Sequence, residues 1–412
     1  MKFLNDILKK DPDYAGLLGD AEKNRLPVVC TGLSLIHKAA VAAALNSHAG
    51  RKLTVICHDE ASANELAGDL TALGANAVNL PSRDYCIGPL SGYSKEYEHK
   101  RTDTLSRLLG GDFGVLTLSL DAAVQYTVPP EILKNASFEL AAGDSIDIKK
   151  LTGRLISAGY TRSELCEGEG QFSSRGGIFD IYPVNSPRPC RIEFWGDEID
   201  SISYFDTETQ RRDETVGRIS VTPACEVLFE PDRLAAELKK LLETGKKLTE
   251  NQISVIKKDL DALENGIQIS PDRYLRLIYP DGNTVFDYIK DTLIILSESG
   301  SITERFKSME IQQSADTENF LEEGFLCGRT AMLWLEKAEF FSFTESAVIF
   351  ENFPRTSYEI TPKDIINFNF RRSTAWSGDI NVLTEDISYM LDMHGAAVIL
   401  AGEKRAAQVL SL

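Results

Sequence analysis

The sequence predicts an α/β protein. A parallel-sheet domain on a degenerate RecA/P-loop-like frame is joined by a small α+β module, and a further α/β domain begins near the C-terminal end. Three observations predict this. Residues 1–125 alternate continuous apolar runs with stretches of helical spacing. Short runs of alternating character then follow between Pro129-Pro130 and about residue 225. Helical spacing and one fully apolar strand return afterwards. Strands buried on both faces read as continuous apolar runs, whereas antiparallel strands with one wet face alternate.

Taken in order, Pro27–Thr31 is an apolar run ending at Gly32, and Leu35–Asn46 is helical. Leu53–Cys57 is a second buried strand, with helical spacing over Glu60–Leu73. Ala77–Leu80 is a short strand, Lys95–Leu109 a polar helix and Gly114–Leu118 another strand. A helix at Ile148–Ala158 opens the module. Its strands are expected at Gly177–Tyr182, Arg191–Trp195, Ile199–Phe205 and Ile219–Thr222, separated by turn residues such as VNSPRP and WGDE. Arg233–Thr244 and Glu250–Glu264 are helical, and Thr292–Leu296 is an apolar strand. Ala396–Leu400 and Glu403–Leu412 read as the start of another strand–helix unit, so the sequence is expected to be part of a longer chain.

The chain has 412 residues, enough for two to four domains at roughly 100–200 residues each. Forty-four basic and 62 acidic residues give a net charge of −18. That balance speaks against a broad basic surface for nucleic acid, though not against a local patch. No apolar run reaches the ~18 residues of a membrane span, and the N-terminus lacks a signal peptide's apolar core. Seven dispersed Cys without a CxxC predict reduced thiols and a cytoplasmic protein. The five His do not pair at ligand spacing, and Cys57-His58 is the one weak candidate for a metal. No catalytic triad emerges, and Asp197-Glu198 reads as a solvated turn.

Gly32 to Ala39 lies between a strand and a helix in the frame G-x-x-x-x-G-K-[ST]. A working loop needs its second Gly so that backbone N–H groups can wrap the phosphates, and a hydroxyl for Mg²⁺. Lys38 is retained, but His37 stands at the Gly and Ala39 at the hydroxyl. Far away, Ile294–Glu298 has the shape of a strand ending in the Asp-Glu pair that serves Mg²⁺, with Ser297 at the Asp and Glu298 following. Gly32, His37, Lys38, Ala39, Ser297 and Glu298 therefore outline a nucleotide-site frame lacking both metal-side groups. The expectation is no hydrolysis and no cofactor, with residual nucleotide binding at Lys38 left open.

The stretches GEGQFSSRGGIFDIYP (168–183) and CRIEFWGDEIDSI (190–202), then Phe205-Asp206, Gln210-Arg211 and Val221–Ala224, carry a specific resemblance. They resemble the domain shared by the excision-repair protein UvrB and the bacterial transcription-repair coupling factors (Mfd). A weaker resemblance covers nearly the whole chain, including Thr284–Tyr288. It fits the N-terminal UvrB-like region of a coupling factor. UvrB keeps an intact phosphate loop and a long aromatic hairpin, whereas Pro81–Arg101 is too short for one. Tyr85, Tyr93 and Tyr97 in that segment read as packing or surface aromatics before base stacking.

The resemblance implies a layout: a degenerate domain split over 1–127 and 228–345, a UvrB-like module inserted at 128–227, and linker plus next domain from 346 to 412. It also implies that the module binds UvrA, through Arg175, Arg191 and Trp195. Strand parity agrees for the last two, because Ile192 and Phe194 suit a buried face while Arg191, Glu193 and Trp195 share the other. Arg211 and Arg212 are secondary candidates. Between Leu151 and Leu228 there are eight Arg, no Lys and thirteen acids, a net charge of −5. Those Arg residues suit contacts to a protein partner's carboxylates. The expected function is a non-catalytic adaptor that recruits UvrA at stalled RNA polymerase, with a further autoinhibitory role open. Polymerase, DNA and ATP would then be handled by other domains of the family. The alternative is an active UvrB-like ATPase that engages damaged DNA itself.

Overall fold

Four strands come first: β1 (Val28–Thr31), β2 (Leu53–Cys57), β3 (Ala77–Leu80) and β4 (Val115–Ser119). Eight more follow: β5 (Phe138–Ala141), β6 (Thr161–Arg162), β7 (Gln171–Arg175), β8 (Ile178–Ile181), β9 (Cys190–Trp195), β10 (Glu198–Phe205), β11 (Arg212–Val216) and β12 (Arg218–Val221). Last are β13 (Leu293–Ser297), β14 (Val348–Phe350) and β15 (Asp364–Asn367). The computed structural model describes residues 2–88, 95–244, 248–328, 330–370 and 379–394.

The first four strands and the last three form one sheet in the order β15-β1-β14-β13-β2-β4-β3. Every pairing in it is parallel. β1, β2 and β4 are buried along their whole length, as their unbroken apolar sequences require. Helices Leu35–Ala49, Glu60–Ala72 and Glu96–Gly110 alternate with them. Asp59 caps the second by accepting the Ser62 N–H at 2.8 Å. The module builds its own sheet, β11-β10-β9-β8-β7-β6, antiparallel except at β6–β7. β12 and β5 pair separately. Its core is closed by helix Ile148–Ser157 and by Phe172 stacked on Phe179 at 5.6 Å.

The expected boundary at 346 is corrected. β14 fills the slot between β1 and β13, and β15 pairs with the other edge of β1. The first compact unit therefore extends to Phe368, and the second comprises residues 369–412. Three- and four-residue strands carry too little periodicity to be read alone. Helix Ser299–Glu323 was also hidden, because its buried positions Ile302, Phe306 and Met309 lie only in its first half. In the second unit the described element is helix Ile380–His394. The expected strand at 396–400 and helix at 403–412 lie outside the described residues.

One apolar core contains residues from before and after the module, from Val29 to Ile349. Beside it lies a buried ion network. Glu226, fully buried at the module's end, accepts from Arg101 Nε at 2.6 Å and Nη2 at 2.9 Å, and from the Thr127 hydroxyl. Arg101 Nη1 donates to the Pro81 carbonyl at 2.5 Å. Arg83 pairs with Asp272, whose other oxygen accepts the Cys86 N–H at 2.8 Å. Tyr85 donates to the Leu333 carbonyl at 2.9 Å, which makes it a packing aromatic; Tyr97 is exposed, and Tyr93 lies outside the described residues.

Burial alone would raise the Glu226 pKa, but Arg101 and then Arg83 overcome that and hold it at about 2. Its contribution to stability is therefore present above the unfolded value of about 4.3 and is lost as pH falls toward 2. Replacing Glu226 by Ala strands Arg101 without its partner in the interior and should cost about 3–5 kcal/mol. Urea unfolding at pH 7 measures this; a loss under 1 kcal/mol would show that the network is not a pin.

Candidate functional site

Two sites were expected, and the degenerate nucleotide site comes first. β1 and β13 both end at the carboxyl edge of the parallel sheet, where such sheets place ligands. Gly32, Lys38, Ser297 and Glu298 meet there. The helix after β1 begins at Leu35, only three residues past Gly32, so His37 and Lys38 lie in its first turn. No wide loop is left to wrap a phosphate. The Ser34 hydroxyl lies 3.1 Å from His37 Nδ1, and Ala39 is fully buried.

The groups that would greet a phosphate are already engaged. The Gly32 N–H donates to the Asn352 carbonyl at 3.3 Å and the Leu33 N–H to the Glu351 carbonyl at 3.1 Å. Lys38 is 3% exposed; its Nζ donates to Ser297 Oγ at 3.1 Å and to Glu298 Oε1 at 2.5 Å. The Glu298 carboxylate thus stands where a phosphate's charge would meet the lysine. Glu298 holds a left-handed backbone, φ 62°, between β13 and the next helix, and also accepts the Asn352 N–H at 2.9 Å. Gly32 has φ 80°, and a Cβ there would lie 2.1 Å from the Phe368 carbonyl oxygen at the end of β15. Only glycine fits.

Glu351 was not legible in the sequence. It follows β14, is buried, and accepts the Ser299 N–H at 3.1 Å and the Ser299 hydroxyl. Burial pushes its carboxyl up to about 7; the neighbouring Glu298 adds to the rise and Ser299 opposes it. Among the described residues, no group of three His, Cys, Asp or Glu could hold a metal.

The second site is the open face of the module. β7–β8 and β9–β10 are neighbouring hairpins, with Arg175 opposite Ile178 and Trp195 opposite Glu198 at their turns. Ile178 pairs in turn with Glu193, so Arg175, Ile178 and Glu193 form one row across the sheet. Gly177 sets the first turn against β9, its carbonyl accepting the Phe194 N–H at 2.8 Å. Ile192 and Phe194 face the core, as parity predicts. Trp195 is 84% exposed, and the Arg175 side chain is 55% exposed. Arg212 pairs with Glu193, and Arg211 lies on the exposed turn.

The open exposure expected for Arg191 is corrected. Its side chain is 13% exposed. It grips fully buried Asp180 bidentately, Nε to Oδ1 at 2.7 Å and Nη2 to Oδ2 at 2.8 Å. It also donates to the Gln210 carbonyl at 2.9 Å and lies over the Phe205 ring at 4.7 Å. The recognisable residues Asp180, Arg191, Phe205 and Gln210 thus converge on one cluster. Parity places Arg191 on the correct face but carries no information about what covers it. Asp180 was the missed member, and its place in β8 opposite Arg191 is the signal that finds it.

Comparison with known proteins bears on the module and on the whole chain. Residues 138–226 match the model of the UvrB interaction domain. The chain is 27% identical over 427 positions to the transcription-repair-coupling factor of Bacillus subtilis (strain 168), covering all of this chain and 36% of that protein. It is 25% identical over 417 positions to the protein of the same name from Staphylococcus aureus (strain USA300), covering 97% and 35%. The chain is therefore similar from end to end to the N-terminal region of coupling factors and spans about a third of the length of these relatives.

A carboxyl whose pKa rises on folding contributes stability that is full below about 4.3 and lost as pH climbs through 7. Glu351→Gln keeps an acceptor for Ser299 and cannot ionise. Its urea midpoint should gain on the wild type between pH 5 and pH 8; parallel pH trends in the two proteins would refute the assignment.

Proposed function

We propose that this chain is the UvrA-recruiting adaptor region of a transcription-repair coupling factor and turns over no nucleotide itself. The observation that carries the reading is the match of residues 138–226 to the UvrB interaction domain. It falls on the module whose open face exposes both Trp195 and the Arg175 side chain. An exposed tryptophan and an arginine on one face have the composition of an interface hot spot. By imitating UvrB's surface, such a module would draw UvrA to a stalled polymerase. Gripping RNA polymerase and moving along DNA at the expense of ATP belong, on this reading, to segments of a coupling factor other than this one.

The closed phosphate loop supports the non-catalytic half of the proposal. A nucleotide would have to displace Glu298 from Lys38 and free the Gly32 and Leu33 amides, with no carboxylate at position 297 for Mg²⁺. The acidic balance of the chain, −18, agrees with a protein partner better than with a nucleic-acid surface.

Purified UvrA should bind the chain, and Trp195→Ala should weaken that binding by about 2 kcal/mol or more, roughly 30-fold, in a titration. An unaltered affinity would remove Trp195 from the interface. In an ATPase assay with and without DNA, the chain should show no stimulated turnover; stimulated hydrolysis would favour an active UvrB-like enzyme.

A further inference from the structure

Of Arg175 and Arg191 on the module's open face, one is spent inside the protein and the other is not. A guanidinium has five N–H donors. In Arg191, Nε and Nη2 hold the two Asp180 oxygens, Nη1 holds the Gln210 carbonyl at 2.9 Å, and Nη2 also reaches Gln210 Oε1 at 3.3 Å. One donor is left. Arg175 makes no hydrogen bond to a described residue; its Nη2 lies 3.8 Å from Asp180 Oδ2. Asp180 therefore lies between two cations, saturated by one and merely near the other.

We infer that Asp180 and Arg191 are positioning residues for Arg175, which is the cation that meets the partner. The inference rests on the UvrA-binding reading above. A buried, ionised carboxylate left without a cation is costly, so it draws in a nearby cation or takes up a proton. While Arg191 satisfies Asp180, Arg175 is held over the face by a long, weak attraction and stays available to a partner's carboxylate. Without Arg191, Asp180 captures Arg175 and draws it inward. Loss of Arg191 then weakens partner binding through Arg175, although Arg191 touches no partner atom. The same guanidinium fastens the 206–211 turn through Gln210 and covers Phe205, so a partner pulling on it would undo the module's own packing.

The test is UvrA titration with variants of the full chain, each checked for folding by thermal unfolding. Arg175→Ala and Arg191→Gln should each weaken binding at least tenfold. Arg175→Ala combined with Arg191→Gln should be no weaker than Arg175→Ala alone, because coupled residues do not add. Asp180→Asn combined with Arg191→Gln removes the orphaned charge and should recover affinity to within about threefold of the wild type, the 3-fold spread being ~0.65 kcal/mol. Multiplied losses in the first double variant, or no recovery in the second, overturn the positioning role and make Arg191 a contact. Should the recovery variant fail to fold, phenylglyoxal footprinting of the wild type decides. Arg175 should react and be shielded by UvrA, and Arg191 should react slowly with or without it. Rapid modification of Arg191 that UvrA blocks overturns the role. If UvrA does not bind the wild-type chain, the adaptor reading itself fails; if it binds and neither Arg175→Ala nor Trp195→Ala alters the affinity, the adaptor reading stands and the positioning role fails.

Discussion

The architecture depends on the buried pairing of Arg101 with Glu226. A module inserted into a domain must leave and re-enter it, and both crossing points are places where the two bodies could drift apart. Here the chain's three passes are tied at one point. Arg101 and Arg83 come from the first pass, Glu226 from the module's exit, and Asp272 from the returning pass. Each ion is out of water, so the pairing is weak evidence of added stability, and what it dictates is that no single partner can be removed cheaply. Removing any one member leaves a charge with nowhere to go. The segment after β3 is therefore ordered around this network at residues 81–88, with Tyr85 reaching across to Leu333.

A similar logic holds at the turn after β1, where an internal anion meets a buried cation. Lys38 lies in the interior, with Glu298 and Ser297 as its partners. The early helix start at Leu35 removes the loop, and the segment after β14 consumes the remaining amides. The ends of β1 and β13 converge at one edge of the sheet, and these contacts hold β1, β13 and β14 together.

Much of this was legible in the sequence, for physical reasons. Strands such as Leu53–Cys57 and Val115–Ser119 are buried on both faces, so their apolar continuity is unmistakable. Short strands escaped, since Val348–Phe350 has no room to show a period and Asp364–Asn367 is largely exposed. The frame residues at 32–39 and 297–298 could be aligned to a motif, but their closure depends on Glu351 and Asn352, which no local pattern points to. On the module, alternation along β9 gave each side chain's face. It could not give cover, because Asp180 lies on the next strand and Gln210 in a later turn. Parity is a property of one strand, and burial is a property of its neighbours.

Gly32 shows how a motif residue can be required by packing alone. Its position is fixed by the carbonyl at the end of β15, which leaves no space for a side chain. The residue a motif search reads as the start of a phosphate cradle thus has its identity required by an edge strand more than 330 positions away. The same holds for Lys38, retained as a counter-ion. Two letters of a nucleotide-binding motif can thus be required by backbone packing and by charge pairing within a fold, so such letters alone do not identify an enzyme.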